Sequence, residues 1–163
     1  MRNKLLAGNK VLDIRIDDLT SEKIADLLQV HHQDMLRHSP PESVHALDIE
    51  KLKANNITFW SAWQQEQLAG CGAIKDLGNN IAEIKSMRTA EDFLRQGVAA
   101  AILTVIIEHA TQQGFHELYL ETGSMDAFIP ARRLYEHYGF DYCSAFADYV
   151  DDPYSLFMRK SLL

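Results

Sequence analysis

Cysteine is scarce in this chain: Cys71 and Cys143 are its only 2 in 163 residues. They stand in unrelated segments without CxxC spacing, which excludes a thiolate zinc cluster and a thioredoxin-type motif and fits a reducing compartment. Long apolar runs are missing too. No stretch approaches the about 18 residues that a membrane helix needs, and the opening MRNKLLAGNKVLDIRIDD has no signal-like apolar segment. The expectation is a cytoplasmic protein with no membrane partner. Positive charge is in deficit, 16 basic against 23 acidic residues, and a net charge of −7 repels phosphate backbones, arguing against nucleic acid as a partner. Repeats, low-complexity segments and linker-like composition are absent, as are the GxxxxGK[ST] and GxGxxG phosphate motifs. What is present is an ordinary globular composition, 47% hydrophobic and 24% charged, at a length suited to one domain over residues 1–163.

Periodicity supplies the elements. Residues 1–10 read as a polar, loosely held start, after which VLDIRI (11–16) alternates with period two as a half-buried strand. Ile24, Leu27, Leu28, His31 and Met35 recur at helical steps after a Thr20 or Ser21 cap, and PPES opens a shorter helical stretch with Leu47, Ile49 and Leu52 on its apolar side. ITFWSAWQ, QLAGCGAIKDL and NIAEIKSMRT form a three-strand antiparallel meander, in which Trp60 and Trp63 point to opposite faces. FLRQGVAAAILTVIIEHA (93–110) predicts a buried helix ending before Gly114, and HELYLET (116–122) predicts a strand. Residues 127–138 form a second amphipathic helix stopped by Gly139, and FDYCSAF and SLFMRKSL close the chain as strands around ADYVDDP. The strand–helix–strand passage in the second half requires one parallel pair. The fold class is therefore α+β, with a mostly antiparallel sheet of about seven strands flanked by helices.

The buried helix opens with an odd turn, Leu94-Arg95-Gln96-Gly97-Val98-Ala99-Ala100. The first amides of a helix lack acceptors, and with the helix dipole they favour an anion, phosphate above all. Gly97 and Ala99 clear space for close approach, while Arg95 and Gln96 add donors. A glycine and two alanines at a helix start also serve plain packing, and the local pattern leaves both readings open.

Three motifs in register resolve the choice. AEIKSMRT, LRQGVA and ARRLYEHYGF together resemble the fourth strand, the [QR]xxGx[GA] pyrophosphate loop and the AxxLYExxGF helix of the GNAT superfamily of acetyl-CoA-dependent N-acetyltransferases. The resemblance runs from Val11 to the end of the chain. It departs at Leu94, where the family usually has Gln or Arg, and at Phe128, where Asn is common.

The resemblance implies the GNAT fold, with its parallel pair splayed at the cofactor site, acetyl-CoA as co-substrate and no metal. It implies transfer of an acetyl group to an amine of a small molecule or peptide by direct attack in a ternary complex. Tyr135 matches the tyrosine that protonates the leaving thiolate. Glu83 matches the usual general base, although a glutamate there can also simply pair with Lys85 or Lys75. Glu121 is the reserve base or an anchor for a cationic substrate. Met87 to Thr89 offer unpaired backbone to the pantetheine, with an amide near Met87 facing the thioester carbonyl. Arg88 is read as a surface residue. His31 and the segment up to Leu52, with the loop FADYVDDPYS, would form the acceptor pocket, where Asp148, Asp151 and Asp152 either attract a cationic amine or simply make a solvated acidic loop, the reading favoured here. A homodimer through exposed final strands is the expected assembly. A non-catalytic acyl-CoA-binding module of the same fold is the alternative reading.

Overall fold

The computed structural model describes residues 2–163. Eight strands form one sheet in the order β1-β2-β3-β4-β5-β6-β8-β7. They are β1 (Arg2–Ala7), β2 (Lys10–Ile16), β3 (Ile57–Gln64), β4 (Gln67–Gly78), β5 (Ile81–Thr89), β6 (Glu117–Gly123), β7 (Asp141–Cys143) and β8 (Ser155–Ser161). The helices are α1 (Glu22–His38), α2 (Ile49–Leu52), α3 (Val98–Gln112) and α4 (Ile129–His137), with single 3-10 turns at Pro41–Ser43, Glu91–Phe93 and Asp126–Phe128. No helix among these residues is long and apolar enough to cross a membrane.

The eighth strand is β1, in the segment expected to be loosely held. RNKLLA alternates exposed and buried positions and pairs with β2 from Arg2↔Arg15 to Ala7↔Lys10. Gly8, with φ 63°, makes the tight hairpin between them. Arg2 and Lys4 lie on its solvent face with Leu6, while Asn3, Leu5 and Ala7 turn inward.

Other boundaries shift for local reasons. PPES forms only a 3-10 turn, and the helix after it is a single turn capped by the Asp48 side chain. The apolar run FLRQGVAAAILTVIIEHA does not become helical until Val98, because Arg95 (φ 61°) and Gly97 (φ 80°) are left-handed and interrupt any right-handed helix. β8 lies inside the sheet between β6 and β7, so SLFMRKSL is not a free edge where Asp141–Cys143 covers it.

Two apolar layers sandwich the sheet. On one face Trp60, Ile74, Ile84 and Leu120 pack with Ile102, Leu103 and Ile106 of α3. On the other, Phe59, Trp63 and Cys71 pack with Ile24, Leu27 and Leu28 of α1. Trp60 and Trp63 do face opposite ways, and both are core. Each buried aliphatic or aromatic side chain contributes on the order of 1.5–3 kcal/mol.

Two irregularities of β5 shape the cleft. Its parallel pairing with β6 runs only from Ile81↔Glu117 to Ile84↔Leu120; beyond that the strands separate. Against β4, Cys71 pairs with Arg88 but Ala73 with Lys85, so Ser86 and Met87 together oppose Gly72. This bulge, with Ser86 at φ 56°, shifts the inward–outward alternation by one residue. Met87 thereby reaches toward α3, against Gly72, while Arg88 reaches Asp34 on α1.

Candidate active site

A cleft of about 600 Å³ opens where β5 and β6 part. Its floor at one end is the start of α3. Gly97 caps the helix in the left-handed region and supplies no side-chain acceptor, so the first amides stay available. The helix is held beneath the sheet by Val98, Ile102 and Ile106. Leu94, Arg95 and Ala99 line the cleft, as do Met87 and Thr89 of β5. Leu94 is 52% exposed. Gln96 instead turns away, donating from Nε2 to the Asp92 carbonyl at 3.1 Å, and Val98 is core. The expected phosphate turn is thus built from backbone with Arg95 at its rim. A nucleotide pyrophosphate fits such a cradle, because nothing but amides and one guanidinium is needed to hold it.

Midway along the cleft stand three acid–base residues. Tyr135 of α4 is buried, 6% exposed, with its ring edge-on to Phe140 at 5.7 Å. Burial, and secondarily the Glu121 carboxylate, pushes its phenol above the ordinary range, so it remains protonated at neutral pH. Glu121 of β6 is pushed up to about 7, chiefly by burial; the Ser155 hydroxyl, which completes no full hydrogen bond, and Lys85 partly offset this. A carboxyl poised there exchanges a proton near neutrality.

Glu83 is more enclosed, 3% exposed. Its Oε2 accepts from the Tyr149 hydroxyl at 2.5 Å and from Lys85 Nζ at 3.2 Å, and Lys85 also donates to that hydroxyl at 3.1 Å. The Lys85 pairing considered from the sequence is therefore formed, and Lys75 has no part in it. Tyr149 enters unannounced from the late loop, its ring against His45 at 5.0 Å, Phe146 at 5.0 Å and Phe157 at 5.5 Å.

That loop roofs the far end of the cleft. Ser43 donates to Asp152 at 2.5 Å, joining the turn after α1 to the loop before β8. Asp152 also accepts from the Tyr154 amide, which leaves it committed to the loop, and with Asp151 it borders a separate hollow beside Cys143. His31 lines the cleft wall at 8% exposure. Burial first, and then the Arg88 guanidinium, lower its pKa to about 4 and keep it neutral.

Arg88 is not the surface residue expected. The bulge moves it from the α3 face, which a regular alternation from Ile84 would give it, to the α1 face, where Nη1 donates to Asp34 at 2.7 Å and the side chain is 23% exposed. A register slip of this kind has no signature in hydrophobic alternation, and Tyr149 carried none either. Lys85, two residues from Glu83, was legible as its same-face neighbour.

A mostly antiparallel sheet split at its one parallel pair, with a bare helix N-terminus beneath the split, is the arrangement of a class of acyltransferases. Within that class the chain belongs to the GNAT acetyltransferase family, whose model, "Acetyltransferase (GNAT) family", matches residues 22–140. It is 54% identical over 151 residues to the uncharacterized N-acetyltransferase YsnE of Bacillus subtilis (strain 168), covering 93% of this chain and 100% of that one. It is 48% identical over 149 residues to the uncharacterized N-acetyltransferase YedL of Escherichia coli (strain K12), covering 91% and 94%. Among solved structures, a Bacillus subtilis acetyltransferase in complex with CoA superposes with a TM-score of 0.70 at 20% identity, covering 93% of this chain and 99% of that one. The last similarity concerns the fold alone.

Proposed function

We propose that this chain transfers an acetyl group from acetyl-CoA to an amine of a small molecule or peptide by direct attack within a ternary complex. The observation that carries the reading is a single cleft at the β5–β6 split, lined by Glu121 and Tyr135 together with Arg95 and Ala99 at the start of α3.

The α3 amides from Val98 to Ala100 and Arg95 bind the pyrophosphate of the co-substrate. The backbone from Met87 to Thr89, unpaired on the β6 side, lies along the pantetheine arm, and an amide at the bulge faces the thioester carbonyl. The acceptor enters from the α1 side. Glu121 takes the proton of the attacking amine, the nitrogen bonds to the acetyl carbon, and Tyr135 gives its proton to the departing thiolate. Glu83 matches the position of the general base in the GNAT resemblance. Here its Oε2 is occupied by Tyr149 and Lys85, and we assign it to holding that pair in place. Neither cysteine enters the reaction: Cys71 is buried, with its thiol pushed up to about 12 by burial.

The test is titration with acetyl-CoA by calorimetry, followed by acceptor-dependent thiol release over an amine panel. Micromolar binding that Gly97→Asp abolishes, with thiol release that requires an amine, is the expected result. Binding without any thiol release would instead favour the non-catalytic module, and no binding to folded protein would overturn both readings.

A further inference from the structure

Five buried side-chain polar atoms among the described residues have no hydrogen-bond partner, and they are not scattered evenly. Three of them, His31 Nδ1, Ser86 Oγ and Arg88 Nε, belong to residues that line the same cleft. Buried polar groups are nearly always paired, so a cluster of orphans along one wall marks a place where a ligand supplies the partner. His31 meets this criterion most strictly, being 8% exposed.

The chemistry of the wall narrows the ligand. Asp34 takes Nη1 of Arg88, leaving the Nε–Nη2 edge, whose two parallel N–H groups match the two oxygens of a carboxylate. Ser86 adds a hydroxyl donor. His31 lies on the same wall and is kept neutral, first by burial and then by the guanidinium, so one ring nitrogen can carry a proton to donate to a carboxylate. The remaining carboxylates of the cleft do not reach this edge by any hydrogen bond: Glu83 is bound to Lys85 and Tyr149, and Glu121 is on β6 across the split.

We propose that Arg88, with Ser86 and His31, binds a carboxylate of the acceptor, so that the substrate is an amine bearing a carboxylate, an amino-acid-like zwitterion. Its amine points toward Glu121 and its carboxylate toward α1. This rests on the acetyl-transfer reading given above and specifies the acceptor for that same site.

The experiment compares free L-amino acids with the corresponding amino acid amides, as ligands of the CoA-saturated protein by calorimetry and as acceptors in thiol release. At least one acid is expected to bind and to exceed its amide in kcat/KM by about 30-fold or more, the scale of a lost partner in a buried charged hydrogen bond. Arg88→Gln should erase that preference while acetyl-CoA affinity is retained. Arg88→Lys keeps the charge beside Asp34 but loses the fork, and should lose most of the preference even if the glutamine variant folds poorly. Asp34→Asn should keep it, whereas a purely structural Arg88–Asp34 pair would make the two single variants behave alike. Amides used as well as acids, a preference that survives Arg88→Gln, or acetyl-CoA binding with no amino acid bound would each overturn the carboxylate site. Failure to bind acetyl-CoA, or to release thiol with any amine, would overturn the acetyl-transfer reading as well, so the two failures are distinguishable.

Discussion

Glu121 and Tyr135 owe their behaviour to the same burial, in opposite directions of use. The folded protein holds a proton on Glu121 between its ordinary 4.5 and about 7. Below 4.5 both folded and unfolded chains are protonated there, and as pH rises through this window the unfolded chain ionises first. Stability contributed at this site therefore falls with rising pH, by on the order of 3 kcal/mol once above 7. Glu121→Gln is expected to be more stable than the parent at pH 8 and equal to it at pH 4, while losing about 10²-fold or more in kcat/KM. Urea unfolding at the two pH values and thiol-release rates check both halves, and the parent's kcat/KM should rise through pH 7 with a limb that the variant lacks. Tyr135→Phe is expected to lower turnover by about 10²-fold with acetyl-CoA affinity changed by less than about twofold. Unchanged turnover would remove the phenol from the mechanism.

At the scale of elements, β4, β5 and the late loop decide what the cleft presents. Gly70 sits where β4 passes under α3, and a Cβ there would lie 2.7 Å from the Arg88 carbonyl, 3.0 Å from Val98 and 3.1 Å from Ile102. The first neighbour is backbone and cannot swing aside. Gly70→Ala is expected to cost about 1–3 kcal/mol in urea unfolding, the scale of an overpacked core. The roof is tied less firmly, through Ser43 and Asp152. Ser43→Ala should speed amide hydrogen exchange over residues 144–154 and leave exchange in α3 unchanged; no change in the loop would show that aromatic packing around Tyr149 holds it alone.

For the whole molecule, the proposed function links co-substrate binding to folding, because the turn at Gly97 exists only when α3 is docked under the sheet. Acetyl-CoA at about one hundred times its dissociation constant should stabilise the fold by about 2.7 kcal/mol, a rise in Tm of roughly 5–10 °C for a chain of this size. Gly97→Asp should fold yet show no such rise in differential scanning fluorimetry, since aspartate tolerates the left-handed backbone but brings charge and bulk to the phosphate turn. A full shift in the variant would place the pyrophosphate elsewhere.

Local pattern alone determined much of this protein. Alternation in VLDIRI and ITFWSAWQ, the helical spacing from Ile24 to Met35 and the motif ARRLYEHYGF are interactions between near neighbours in sequence, and they set the elements, the order of the sheet's centre and the positions of Gly97 and Tyr135. Tertiary structure decided the rest, because it depends on what distant segments bring. The RNKLLA strand is recognisable only once β2 pairs with it. Glu83 is bound by a tyrosine 66 residues away, and Glu121 acquires its raised pKa only from burial within the cleft. Arg88 is the sharpest case: the bulge at Ser86 and Met87, opposite Gly72, moves it from the face that Ala82 and Ile84 share with α3 to Asp34 on α1. A one-residue slip reverses every side chain beyond it, and hydrophobic alternation carries no mark of where such a slip occurs.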